Sequence, residues 1–285
     1  MTRRPLTLLI LALACALGAL AVWLAAFAIP AGQRLDGSAL AAFGVVAQPR
    51  LEPSIQGLAG LANMLPLMII AATLVGVALL RRRWLMAAFV PLILLAANVF
   101  TQLVKPGLAH PRIVELSGIE DTYPASWPSG HSTVAMSLAL CAVLVAGPRL
   151  RPFVAVLGAG YAIAVGYSLV ALGWHLPSDV LGGFLVAATF TLLGTAALAR
   201  LEPQPQGAAA AAPRRRRTGV PSALVMPAVV AVTAVVLGAL ALLAHNPSAA
   251  NYVSGSFAAV LAAISIAVLG VALTASLTLA LRSAR

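Results

Sequence analysis

Two histidines in this chain stand beside residues that would let an imidazole do chemistry. His175 is followed four residues later by Asp179, and a carboxylate can fix the tautomer of an imidazole and hold its charged form. His131 ends the run Pro128-Ser129-Gly130-His131, directly before an apolar segment. The amides at a helix N-terminus bind anions, and glycine lets the backbone approach a phosphate closely. The two groups together indicate phosphate chemistry.

Two cations precede this run and suit the oxygens of a phosphate. Lys105 is the only lysine in the chain, and Arg112 follows seven residues later. Prolines at positions 106 and 111 make the backbone between them stiff and non-helical. Lysine supplies a point charge and arginine a planar fork that matches phosphate. The simpler alternative is a pair of side chains that extend to the outer rim of a membrane.

The other site residues also have explanations that involve no chemistry. Ser129 or Ser132 can cap the helix that follows. Asp179 lies just after Pro177, which suits the first turn of a helix, where a carboxylate contributes about 0.3–1 kcal/mol to helix stability. Neither a cap nor a helix dipole accounts for the two histidines.

The composition defines the kind of protein that must position these groups. Of the 285 residues, 61% are hydrophobic and only 9% are charged, against about 25% charged in soluble domains. This excludes a soluble globule and a disordered chain. Cys15 and Cys141 both lie in apolar runs, so no disulfide framework is indicated. The composition predicts an all-α, polytopic membrane protein.

Eight apolar segments are candidate membrane spans, each expected to need about 20 residues. They cover residues 5–30, 53–80, 84–104, 131–148, 152–174, 180–199, 221–245 and 256–281, of which 131–148 is short. We therefore expect a six-span core at residues 1–200, a basic low-complexity cytoplasmic linker at 201–219, and a two-span helical pair at 220–285. No span carries a charge in its middle, which argues against a transporter.

The basic residues predict the orientation of the spans. With the N-terminus in the cytoplasm, all but four of the 18 basic residues fall on the cytoplasmic side. Both termini are then cytoplasmic, and the two histidines lie at the outer face of the cell membrane. We interpret the four consecutive arginines, Arg214, Arg215, Arg216 and Arg217, as a topology signal. Their alternative role is contact with anionic lipid headgroups, and the C-terminal spans are expected to pack on the core or on a second protomer.

In the order and spacing of these motifs, the chain resembles the type 2 phosphatidic acid phosphatase family, which shares its site with the vanadium haloperoxidases. The family pattern is Lys-x6-Arg-Pro, then Pro-Ser-Gly-His, then Ser-Arg-x5-His-x3-Asp. This chain has Lys105 to Arg112, Pro128 to His131, and Ser168-x6-His175-x3-Asp179. The resemblance covers about residues 1–200.

The resemblance implies hydrolysis of a lipid phosphate or pyrophosphate through a phosphohistidine, with no metal or other cofactor. His175 would be the nucleophile, Asp179 its orienting group and His131 the general acid. The phosphate would be held by Lys105, Arg112, Ser129, Gly130 and Ser168. The substrate implied is polyprenyl pyrophosphate, phosphatidic acid or phosphatidylglycerol phosphate, presented from the outer leaflet.

Two positions depart from the family pattern. Ile113 replaces a proline, and Leu169 replaces the arginine of the third motif, so one charged contact to phosphate is missing. A weaker site, or one that borrows another cation, would still be a phosphatase. The alternatives are a catalytically silent binder of lipid phosphates and a phosphotransferase that passes phosphate to an acceptor lipid.

The predicted orientation can be tested by labelling intact cells. Cysteines introduced near Glu120 or Asn251 should react with a membrane-impermeant maleimide, and one near Gln206 should not, because only the first two lie in predicted outer loops. Labelling near Gln206 would reverse both the orientation and the side of the site.

Overall fold

The computed structural model of this chain describes residues 3–44, 49–108, 126–201 and 257–282. All regular secondary structure in these ranges is helical, which confirms the all-α prediction. The helices are α1 (Arg3–Ala28), α2 (Pro30–Gly44), α3 (Glu52–Gly60), α4 (Met64–Leu80), α5 (Trp84–Val104), α6 (Gly130–Val145), α7 (Arg151–Ala171), α8 (Pro177–Leu201) and α9 (Phe257–Arg282).

The described helices have the lengths and composition of a multi-pass membrane protein. Helices α1, α5, α7, α8 and α9 are each long and apolar enough to cross a bilayer. Helices α3 and α4 pass the same test together, as a pair bent by 44° at a short break. Helix α6 is apolar but has only 16 residues, in line with the short fourth span expected from the sequence.

The structure differs from the sequence-based expectation in two places. Residues of the predicted first outer loop form α2, which buries Ala39, Leu40 and Ala42 and packs against α1, α7, α8 and α9. Its charged residues and short length kept it out of the predicted spans. The segment 53–80, expected as one span, is interrupted between Gly60 and Met64.

Helix α6 lies at the centre of the bundle. Every residue from Ser132 to Cys141 is buried, and the helix packs against α4, α5, α7, α8 and α9. A helix surrounded on all sides has no polar face, which explains its uniform sequence of alanine, leucine, valine and small hydroxyl residues.

Arginines bind helix carbonyls at the end of the bundle where α6 ends. Arg81 donates from Nη1 to the carbonyl of Val145 at 3.1 Å, and Arg151 donates from Nε to the carbonyl of Ala146 at 3.2 Å. Arg151 also donates from Nη1 to the carbonyl of Leu281 on α9 at 3.4 Å. Cations at helix C-termini satisfy unpaired carbonyls and favour the helix dipole. The same arginines that predicted topology therefore also cap helices.

Helix α9 corresponds to the predicted span 256–281 and packs against α2, α6, α7 and α8. Tyr167 on α7 donates a hydrogen bond to the carbonyl of Ala263 at 2.7 Å. The predicted span 221–245, most of the linker 201–219 and Arg214 to Arg217 lie outside the described residues. The division into a six-span core and a two-span pair stays a prediction.

Two adjacent glycines let α8 approach the start of α6. A Cβ on Gly183 would lie 2.7 Å from the carbonyl oxygen of Ser129 and 3.1 Å from the amide of Thr133. A Cβ on Gly182 would lie 2.5 Å from Nε1 of Trp127. The first turns of α6 and α8 are therefore in contact only because no side chain separates them.

A methyl group at position 183 should separate these helices. Because the clashing atoms are backbone, we expect Gly183→Ala to destabilise the protein by about 1–3 kcal/mol, measured as a lower midpoint of thermal unfolding in detergent. Gly160→Ala is the matched control, since a Cβ on Gly160 meets nothing within 4 Å. If both variants unfold at the wild-type temperature, the close approach is not needed for stability.

Candidate active site

Side chains from four parts of the chain meet at the end of the bundle opposite the capping arginines. Lys105 follows the last residue of α5, Ser129 to His131 begin α6, and His175 lies in the turn between α7 and α8. Asp179 lies in the first turn of α8. The structure therefore brings together these residues, which the sequence places up to 74 positions apart.

His175 and Asp179 form the central pair. Nδ1 of His175 lies 3.3 Å from Oδ2 of Asp179, whose side chain is fully buried, whereas the His175 side chain is 12% exposed. Oδ2 also accepts the backbone amide of Leu176 at 3.1 Å. Since an ionised carboxylate can only accept, Nδ1 must carry the proton, and Nε2 keeps its lone pair. This contact leaves Nε2 as the nitrogen that is available for nucleophilic or base chemistry.

A tight turn holds His175 in place. Gly173 has a φ of 72°, the left-handed conformation that commonly ends a helix at the position after the C-cap. The amides of Trp174 and His175 then donate to the carbonyl of Leu169, at 3.0 and 3.3 Å. The turn therefore reverses the chain within a few residues and directs it into α8.

Ser129 joins the start of α6 to the start of α8. Its side chain caps α6 by accepting the amide of Ser132 at 3.3 Å. Its own amide donates to the carbonyl of Asp179 at 3.0 Å. Ser129 is fully buried, so the structure gives its hydroxyl the capping role that the sequence left open. Its predicted contact with phosphate remains a prediction.

Lys105 lies beside Gly130. A Cβ on Gly130 would lie 3.8 Å from Nζ of Lys105 and 3.4 Å from Nε2 of Gln102. Burial lowers the pKa of Lys105, while the charge of Asp179 acts to raise it. The ammonium group of Lys105 is thus held near the N-terminal amides of α6. The ammonium group and the amides would both attract an anion.

Gln102 was missed in the sequence analysis, although the signal was there. It lies three residues before Lys105 on a predicted helix, so the two share one helix face. Its amide adds a hydrogen-bond donor beside Gly130.

His131 lies within electrostatic range of Lys105 and His175. Its ring centroid is 6.1 Å from that of Trp174, with the planes tilted by 49°. Nε2 lies 3.0 Å from Oδ1 of Asn63, in the break between α3 and α4. Asn63 is the second residue that the sequence analysis missed, because nothing in its local sequence distinguishes it.

At the start of the third motif, the side chains of Ser168 and Leu169 are buried. The hydroxyl of Ser168 is buried and donates to the carbonyl of Val165, at 2.7 Å, within its own helix. Leu169 is fully buried in the apolar core. Arg112 lies outside the described residues.

Two comparisons with known proteins found similarities. The PAP2 superfamily matches residues 86–202, a segment that contains all three motifs. The chain is similar to the crystal structure of a transmembrane PAP2-type phosphatidylglycerolphosphate phosphatase from Bacillus subtilis, with a TM-score of 0.56 and 24% identity. That similarity covers 67% of this chain and 97% of the other. No curated protein gives a significant match.

The solved structure supports the fold, and the superfamily match spans the segment in which the motifs lie. Both agree with the resemblance stated from the sequence, which is therefore confirmed. This multi-pass membrane protein is thus similar to the PAP2 superfamily over residues 86–202.

Proposed function

We propose that this protein is a lipid phosphatase that removes a phosphate from a membrane lipid through a phosphohistidine. The observation that carries the proposal is the contact between Nδ1 of His175 and the buried carboxylate of Asp179. It leaves Nε2 as the reactive nitrogen, at the same end of the bundle as Lys105 and the N-terminus of α6.

In the first step, Nε2 of His175 attacks the phosphorus in line, and the bond from phosphorus to the lipid oxygen breaks. His131 donates a proton to that oxygen as it leaves, a role that an imidazole commonly has in enzymes. In the second step, His131 takes a proton from water, which attacks the phosphohistidine and releases phosphate. Asp179 stabilises the positive charge on His175 between the two steps.

Positive charge at the site would stabilise the transition state. Charge in phosphoryl transfer spreads over the nonbridging oxygens, and donors fixed in advance stabilise it most effectively. Lys105 and the Gly130 amide are suited to this role, with Ser129, Ser168 and Arg112 as the further phosphate contacts predicted from the sequence. No step of this mechanism uses a metal or another cofactor.

The proposed substrate is a lipid phosphate at the outer face of the cell membrane. Polyprenyl pyrophosphate, phosphatidic acid and phosphatidylglycerol phosphate share a phosphate headgroup and an apolar tail. The similarity to a phosphatidylglycerolphosphate phosphatase supports including that lipid. The outer location is supported by the arginines that predict the orientation, of which Arg81 and Arg151 lie at the opposite end of the bundle.

Replacing the nucleophile should abolish turnover. Purified protein in detergent should release phosphate from at least one of the three lipids, and His175→Ala should reduce release to background. Asp179→Asn should lower kcat by about 10²–10⁴, because an amide can donate to Nδ1 and so move the proton to Nε2. His245→Ala, outside the three motifs, is the control and should keep wild-type activity.

Phosphate release that survives in His175→Ala would contradict the phosphohistidine mechanism. If wild-type protein binds a lipid phosphate but releases nothing, the silent binder is correct. If release occurs only when an acceptor lipid is added and the phosphate is found on that lipid, the protein is a phosphotransferase.

The alternative of a silent binder is favoured by one observation, the burial of Leu169. Restoring arginine through Leu169→Arg should add a charged contact worth about 1.5–3 kcal/mol, or roughly tenfold or more in affinity for inorganic phosphate. Because the position is buried, the variant should also unfold at a lower temperature in phosphate-free detergent. Calorimetric titration and thermal unfolding measure the two effects.

Leu169→Met is the matched control, since it nearly conserves volume and should bind phosphate like the wild type. If Leu169→Arg folds but binds phosphate no more tightly than Leu169→Met, the side chain does not reach the site. A gain of turnover together with affinity would mean that the rest of the machinery is intact.

A further inference from the structure

Asn63 has an unusual role at the break between α3 and α4. It is the N-cap residue of α4, with extended backbone at φ −70° and ψ 169°. Asparagine at this position normally accepts a hydrogen bond from an amide in the first turn of its helix. The Asn63 side chain makes no such bond. Its Oδ1 instead lies 3.0 Å from Nε2 of His131 on α6.

The break that carries Asn63 is tied to another helix. Tyr161 on α7 donates from its hydroxyl to the carbonyl of Leu61 at 2.9 Å. Within the break, the amide of Asn63 donates to the carbonyl of Gly60 at 3.0 Å. The position of Asn63 relative to α6 is therefore set by α7 as well as by its own chain.

The two ends of the Asn63 amide face different neighbours. Nδ2 of Asn63 lies near Gly60, and a Cβ added to Gly60 would be 3.6 Å from it. Oδ1 of Asn63 faces His131. An amide oxygen only accepts, so Nε2 of His131 must donate. The neutral ring then has its lone pair on Nδ1, and proton transfer to or from the substrate has to use Nδ1.

From this geometry we infer that Asn63 is a positioning residue for His131, the proposed general acid, and fixes which ring nitrogen exchanges a proton with the substrate. The inference rests on the proposed function. Each histidine then has one nitrogen occupied by a partner and one left for chemistry. Asp179 takes Nδ1 of His175 and leaves Nε2, while Asn63 takes Nε2 of His131 and leaves Nδ1.

The chemical difference between the two partners fits the difference between the two roles. A phosphorylated His175 is positively charged and gains from a carboxylate. A general acid must release its proton and recover it, so a carboxylate partner would hold that proton too firmly. A neutral amide orients the ring without adding charge. The charged and titratable groups that face His131 from the other described elements are Lys105, at the end of α5, and His175, before α8.

The test uses full-length protein in detergent with three variants, Asn63→Leu, Asn63→Asp and Asn98→Leu. The last is the matched control, because Asn98 donates its amide to the carbonyl of Leu94 within α5. Two substrates carry the same phosphate but differ in leaving group, a lipid phosphate monoester and p-nitrophenyl phosphate. The pH dependence of kcat/KM is measured for each.

We expect Asn63→Leu to lower kcat on the lipid monoester by about tenfold or more, a part of the roughly 10²–10⁴ that a general acid contributes. The effect on p-nitrophenyl phosphate should be much smaller, because that leaving group needs little protonation. Asn63→Asp should move the alkaline limb of the profile to higher pH, because an added negative charge stabilises protonated His131. Asn98→Leu should change none of these values. An equal loss on both substrates with an unchanged profile would mean that Asn63 is only structural.

A second measurement does not require turnover. With ¹⁵N-histidine labelling, and His131→Gln to assign the signal, nuclear magnetic resonance reports the tautomer and titration midpoint of His131. Wild type should show the proton on Nε2, and Asn63→Asp should raise the midpoint by about one pH unit or more. A proton on Nδ1, or a midpoint unchanged in Asn63→Asp, overturns the inference. Absence of turnover in wild type overturns the proposed function alone, since this measurement still decides the role of Asn63.

Discussion

The site depends on the contact between the first turns of α6 and α8. Polar groups are costly to bury in an apolar bundle unless they are paired. The polar starts of these two helices can therefore be buried because they bind each other. The amide of Ser129 meets the carbonyl of Asp179 at 3.0 Å, and Gly183 leaves room for that approach. The His175–Asp179 pair is part of the same contact, because its carboxylate lies in the first turn of α8. Lys105 and His131 then line the same end of the bundle.

Much of this arrangement could be predicted from the sequence, because its signals are local. Uncharged runs identify helices in a membrane, and the spacing of His175 and Asp179 predicts one helical turn between them. The break at Asn63 could not be predicted in this way. Hydropathy averages over a window, and Leu61 to Asn63 interrupt an apolar run with only one polar side chain. What matters at Asn63 is a contact with His131, 68 positions away, and no periodicity reports such a contact.

Leu169 illustrates a limit of motif comparison. Motif spacing treats it as a missing arginine at the phosphate. In the folded chain its side chain belongs to the apolar core, and its carbonyl receives the amides of Trp174 and His175. The bonds that form the turn use the backbone carbonyl at position 169. The shape of the turn therefore does not depend on whether the side chain there is charged. The turn that holds His175 is intact without the arginine.

The two helix starts at the site differ in what satisfies their amides, and that difference determines where an anion can bind. At α8, the amide of Ser178 donates to Asp36 of α2 at 3.0 Å, and the preceding amide of Leu176 donates to Asp179 at 3.1 Å. Two carboxylates thus already occupy the positive end of that helix dipole. At α6, Ser129 accepts the amides of Ser132 and Thr133, and the described residues supply no acceptor for the amides of Gly130 and His131. We therefore expect a phosphate to be attracted to the start of α6, beside Lys105, and repelled from the start of α8. In the proposed mechanism, this asymmetry leaves the carboxylate of Asp179 to orient His175 while the phosphate approaches from the start of α6.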